Sequence, residues 1–139
     1  MSVKEYYLRD PSDKRKETMH QMDAAAWITY WYPGLYWFHP VNENALPGGK
    51  QYFNQQKEKG LRKGVVDIVI LNRGINGEPF GVIELKRATK TLSSPVSKEQ
   101  WECLNSADEQ GAFSAVAYGY KSAKLAIVDM LGQPWRKTD

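Results

Sequence analysis

Residues 65–71 form an unbroken apolar run except at one position, where Asp67 interrupts it. Five of the six companions of that aspartate are β-branched, which marks the run as a buried strand rather than a helix. A carboxylate in such a setting is costly unless it is protonated, paired or bound to a cation. The chain therefore has to place a partner opposite Asp67.

A second strand signal, residues 80–85, supplies one. The intervening stretch 72–77 is rich in asparagine and glycine and suits a tight reversal, so the two strands are expected to pair as an antiparallel hairpin. Within Val82-Ile83-Glu84-Leu85-Lys86 the two-residue period of a strand sends Ile83 and Leu85 to one face and Glu84 and Lys86 to the other. With Asp67 in register beside Glu84, two carboxylates and one ammonium meet at the sheet edge. Such oxygen donors suit magnesium or manganese. Lys86 would orient or deprotonate an attacking water, or stabilise charge on a pentavalent phosphate, and the sequence leaves the choice open. Taken alone, Glu-x-Lys on paired strands equally describes a cross-strand salt bridge. The apolar surroundings of Asp67 favour a site.

The remaining elements follow from periodicity and punctuation. Residues 1–16 are polar and charged and are expected to form an N-terminal arm, leaving 17–139 as one domain. Residues 17–32 predict a helix with Met19, Met22, Ala26, Trp27 and Tyr30 on its apolar face, stopped by Pro33 and Gly34. Residues 36–41 predict a strand, 42–49 a loop, and 50–59 a helix closed by Gly60. Ser97-x-x-Gln100 is a capping box that opens a helix running to about residue 110, with Gly111 ending it. A strand over 113–118 and a helix over 122–131 complete the order α-β-α-β-β-α-β-α, a mixed four-stranded sheet flanked by helices.

Composition narrows the class only a little. A net charge of +3 mildly favours an anionic partner without identifying one. Cys103 is the only cysteine, which excludes an intrachain disulfide and a cysteine-rich zinc site. No apolar stretch is long enough for a membrane span, and the N-terminus lacks the apolar core of a signal peptide, so a cytosolic protein without membrane contact is expected. Lys57, Lys59, Arg62 and Lys63 precede Asp67, while Arg87 and Lys90 follow Glu84, so phosphate backbones would be drawn to both motifs. Each of these cations singly also reads as a solvated surface residue. Asn42, in the loop, serves turn formation or a substrate contact, and His39 reads as a hydrogen-bonded structural residue. Trp27, Trp31 and Trp37 fit a core, and the crowding of aromatics from Trp27 to Trp37 suggests an apolar patch closing a homodimer.

Five ordered motifs together resemble a known family. They are Glu17 with Gln21, His39-Pro40-x-Asn42-Glu43, Lys63-Gly64-Val65-x-Asp67, Ile83-Glu84-Leu85-Lys86 and Ser97-x-x-Gln100. In this set the chain resembles the virus-type replication-repair nuclease (VRR-NUC) domains of the PD-(D/E)XK nuclease superfamily. The resemblance implies an α/β restriction-endonuclease-like fold. It implies Asp67 and Glu84 as ligands of Mg²⁺ or Mn²⁺, Lys86 as catalytic lysine, Glu17 as a supporting acid and Gln100 as a polar group lining the site. Glu17 also fits the first turn of a helix, where the macrodipole favours an acid, and Gln100 has its capping role. Where the family usually carries proline before the aspartate, Val66 stands here, which bears on backbone shape at the strand entry more than on metal chemistry. Stand-alone members resemble Holliday-junction resolvases, which implies a structure-selective DNA endonuclease acting on branched DNA as a homodimer. The alternative is a non-catalytic DNA-binding or partner-recruiting module retaining the fold, against which the intact Asp67, Glu84 and Lys86 argue.

Overall fold

The two strongest strand signals lie at the centre of the sheet. In a computed structural model, which describes residues 2–40 and 49–138 and only the backbone of 49–53, β1 (Lys4–Tyr7) is followed by α1 (Glu17–Trp31) and β2 (Trp37–Phe38). Then come α2 (Gly49–Glu58), β3 (Ile68–Ile70), β4 (Gly81–Lys86), a 3-10 turn (Lys90–Leu92), α3 (Lys98–Glu109), β5 (Phe113–Tyr118) and α4 (Tyr120–Leu131). The expected loop 42–49 falls, but for its last residue, outside the described residues, as does Asn42.

The sheet order is β1-β5-β4-β3-β2. β3 and β4 form the expected antiparallel hairpin, with Ile68 opposite Ile83, and β4 runs parallel to β5 with Glu84 opposite Val116. A parallel pair needs a crossover, and α3 provides it. Ile83 and Leu85 are fully buried on the face covered by α1 and α4. Each such side chain contributes about 1.5–3 kcal/mol on burial, which lets the same strand carry Glu84 and Lys86 without losing its place. On the other face Val82 and Val116 pack with Val66 and with Leu104 and Ala107 of α3.

Among the described residues the sheet has five strands, not four. The N-terminal stretch expected as an arm contributes β1, paired in parallel with β5 from Lys4 opposite Ala115 to Tyr7 opposite Tyr118. Its charged Lys4 and Glu5 are exposed at the sheet edge, where charges discourage pairing with other chains, and they hide the strand from a hydrophobic pattern. Two tyrosines anchor it: the Tyr6 ring lies 6.3 Å from Phe113 and the Tyr7 ring 5.4 Å from Tyr118.

The face of α1 also differs from expectation. Met19, Met22 and Tyr30 are exposed, and the helix rests on the sheet through His20, Ala24 and Ile28. Apolar residues are spread nearly all round this helix, so periodicity alone does not choose a side. What chooses it is fit: Ala24 permits close approach, and His20 Nδ1 accepts a hydrogen bond from the Tyr120 backbone N–H at 3.0 Å. That turn requires Gly119, whose φ is +87° and where a Cβ would lie 2.9 Å from Ala88 Cβ.

Candidate metal centre

β3 starts at Ile68, three residues later than the apolar run from residue 65 suggests, and Asp67 occupies the bend before it. The side chain takes over where the strand pairing stops: Asp67 Oδ2 accepts the Leu85 backbone N–H at 2.8 Å. Continuing the register of Ile68 opposite Ile83 puts Asp67 beside Glu84. His39 Nδ1 lies 2.7 Å from the Asp67 carbonyl oxygen, so β2 and its extension hold the bend from the other side.

Glu17, in the first turn of α1, completes a cluster. One carboxylate oxygen each from Glu17, Asp67 and Glu84 lies within 4.8 Å of the others. Glu84 has no exposed surface. Its Oε2 accepts from Gln100 Nε2 at 2.8 Å and lies 3.5 Å from Lys86 Nζ, while its Oε1 has no N–H donor among the described residues. Lys86 Nζ is also 3.5 Å from the Pro95 carbonyl and from Gln100 Oε1.

The charges do not balance internally. Burial, and then the charge of Asp67, pushes the Glu84 carboxyl up to about 9, with Lys86 pulling the other way. Burial raises Asp67 too, and burial followed by Asp67 raises Glu17. Three carboxyls face a single ammonium, and one buried carboxylate oxygen is unsatisfied. A hard divalent cation answers both, so the donor set fits such an ion. Beside the acids opens a cleft of about 330 Å³, lined among others by Glu17, Gln21, His39 and Asp67. Gln21 reaches it with a buried Oε1 that has no partner among the described residues; the signal in the sequence is its four-residue spacing from Glu17, which puts both on one helix face.

Gln100 holds both of its sequence-assigned positions at once. Its Oε1 accepts the Ser97 backbone N–H at 2.9 Å, closing the capping box with Ser97 Oγ on the Gln100 N–H, while its Nε2 reaches Glu84.

The flanking cations divide. Arg62 and Lys63 line a surface depression of about 410 Å³ together with Glu99 and Glu102, and they are not among the residues lining the acids' cleft. Arg87 and Lys90 are turned toward the N-terminal segment. Arg87 donates to the Lys14 carbonyl at 2.6 Å and the Arg15 carbonyl at 3.1 Å. Lys90 pairs with Glu5 at 3.0 Å and lies over the rings of Tyr7 and Tyr118.

A mixed α/β sheet whose central hairpin brings together an acid pair and a lysine, with a third acid delivered by the first helix, defines the class of fold. A solved structure described as a "VRR_NUC domain protein" shares this fold, with a TM-score of 0.68 at 19% identity, covering 86% of this chain and 91% of that one. This chain thus has the fold of a VRR-NUC domain. No protein-family model matches the sequence, and no curated protein does. No helix among the described residues is long and apolar enough to cross a membrane.

Proposed function

We propose that this chain is a divalent-metal-dependent endonuclease that hydrolyses phosphodiester bonds in DNA. The observation that carries this reading is the convergence of Glu17, Asp67 and Glu84, from three separate parts of the fold, around an unsatisfied buried oxygen of Glu84 and next to Lys86. A structural ion pair needs one acid for one lysine and would leave no such excess.

Glu17, Asp67 and Glu84 would hold the ion, Mg²⁺ or Mn²⁺. Bound there, it supplies charge neutralisation at a phosphate oxygen and a lowered pKa for water. Lys86, kept close by Glu84 and Gln100, presents an ammonium to the water or to the phosphate as charge develops. Gln100 fixes the orientation of Glu84. The open cleft beside the acids, lined by Gln21 and His39, admits the scissile strand.

The substrate in this reading is branched or otherwise structured DNA, cut by a homodimer. The uncovered β2 edge supports the dimer, since Tyr36, Phe38 and Leu71 are all exposed there.

Cleavage of labelled linear, nicked, flap and four-way-junction DNA in Mg²⁺, Mn²⁺ or EDTA tests the proposal. Metal-dependent cutting by the wild type is expected, with Asp67→Asn and Lys86→Ala each slowed roughly 10²-fold or more. Binding of DNA without cutting under every condition would leave a recruiting module and sink the enzyme.

A further inference from the structure

The C-terminal half of α1, the first turns of α4 and the tail after α4 border a second, open cavity of about 730 Å³, larger than the acids' cleft. Its walls are aromatic: Trp27 and Trp31 from α1 and Tyr120 from α4. All three are half-buried and packed against the core, so their rings are fixed before any ligand arrives. Its charged lining is Lys124, Arg136 and Lys137, with no acid among the described lining residues.

Aromatic rings and backbone carbonyls hold the first two of these cations. Lys124 Nζ lies 4.8 Å from the centre of the Tyr120 ring and 5.9 Å from that of Trp27. The Arg136 guanidinium stacks 4.2 Å over Tyr30, its Nε donates to the Tyr30 carbonyl at 2.7 Å, and its backbone N–H donates to the Trp31 carbonyl at 3.0 Å. Among the described residues no carboxylate pairs with Lys124, Arg136 or Lys137. A cation resting on a π face keeps its charge available to an anion.

Fixed flat rings interleaved with unneutralised cations match one ligand chemistry on both counts. Unpaired nucleotides present a π face for the Trp31 ring, which no cation covers among the described residues, and a phosphate for each cation, whereas an acidic peptide answers only the charges. The cavity also lies on the helix that carries Glu17 to the acid cluster. Trp27 is ten residues further along α1, which is about 15 Å at the helical rise, within reach of the same DNA strand. We infer that this cavity is a subsite for unpaired nucleotides, gripping the single-stranded part of a structured DNA by stacking a base on Trp31 while Lys124, seated over Trp27 and Tyr120, and its neighbouring cations hold the phosphates. The connection to a strand that is cut rests on the nuclease reading above, whereas binding at the subsite does not.

Fluorescence anisotropy in EDTA, where no cutting occurs, tests it with three probes: a short oligothymidylate, an abasic deoxyribose-phosphate oligomer of the same length, and a blunt duplex. Oligothymidylate is expected to bind about fivefold or more tighter than the abasic oligomer. Trp31→Leu should erase that difference, and Lys124→Gln combined with Lys137→Gln should weaken oligothymidylate while leaving the blunt duplex unchanged. Because Lys137 is exposed and Lys124 only half-buried, with neither in the core, the lysine variant remains informative if Trp31→Leu disturbs folding. Equal binding of the abasic oligomer overturns the inference. So does displacement of oligothymidylate by polyglutamate as readily as by unlabelled oligothymidylate. A protein that never cuts but shows the base-dependent difference supports the subsite and fails only the nuclease reading, and cutting without base dependence does the reverse.

Discussion

Glu84 is the residue at which burial and charge conflict most directly. Its ordinary value of 4.5 is raised to about 9, first by burial and then by Asp67. A raised carboxyl keeps its proton in the folded state after the unfolded chain has lost it. The unfolded state then binds fewer protons, so stability falls as pH rises through that interval. Asp67 and Glu17 shift in the same direction and add to the slope, whose upper limit for one proton is about 1.4 kcal/mol per pH unit. Metal-free protein should therefore be most stable below the unfolded value, losing stability progressively toward alkaline pH, and Mg²⁺ or Mn²⁺ should restore what is lost. Glu84→Gln, nearly isosteric and uncharged, should flatten the profile in EDTA and abolish the metal's stabilising effect. Urea denaturation at mildly acidic and mildly alkaline pH, with and without metal, measures all of this. A flat wild-type profile would mean that the three carboxyls do not share one buried site. The cost of Asp67 is legible in the sequence because its neighbours are apolar. The duties of Arg87 and Lys90 are not, because an arginine or lysine looks the same whether its partner is a phosphate or a distant backbone carbonyl.

At the scale of elements, α3 connects stability to the site through a single amide. Ser97 caps the helix and Gln100 answers it, but Gln100 also pins Glu84. Ser97→Ala should cost about 1 kcal/mol of stability, as loss of an N-cap usually does, with a modest effect on cleavage. Gln100→Ala should cost a comparable amount and also slow cleavage markedly, since Glu84 then loses its only amide partner. Equilibrium denaturation alongside single-turnover cutting separates the two variants, and equal losses of activity would show that Gln100 acts only as a cap. Local signals of this kind read well: the capping box, Gly111 after α3, and β5 lie where sequence spacing puts them. The seat of α1 did not read well, because Met19, Met22 and Tyr30 are as apolar as the residues that are buried. The choice falls to Ala24 and His20, whose partners are a sheet and a turn about a hundred residues away.

Across the whole molecule, the segment from β1 to the start of α1 ties the sheet edge to the acid cluster. Beyond β1, the Leu8 backbone N–H donates to Ser122 Oγ at 2.9 Å, and Thr89 Oγ1 donates to the Asp10 carbonyl at 3.2 Å. Asp13 and Asp23 clamp Arg15 at 3.0 and 2.6 Å, and Arg87, next in sequence to Lys86, holds the Lys14 and Arg15 carbonyls. Two residues later the chain delivers Glu17. None of this long-range strapping is visible in a polar stretch read by itself, which is why it looks like an arm. It gives Arg87 a positioning role, to fix the entry of α1 and with it the third acid. Arg87→Ala should then weaken Mn²⁺ binding, read by calorimetry, by roughly tenfold, the usual scale for removing a group that supports a ligand. Lys90→Ala frees Glu5 on β1 but leaves the Lys14 and Arg15 carbonyls held, so it should keep Mn²⁺ affinity near that of the wild type. An Arg87 that instead served as a phosphate contact would show the opposite pattern: metal affinity intact, and DNA affinity in EDTA reduced together with its dependence on salt.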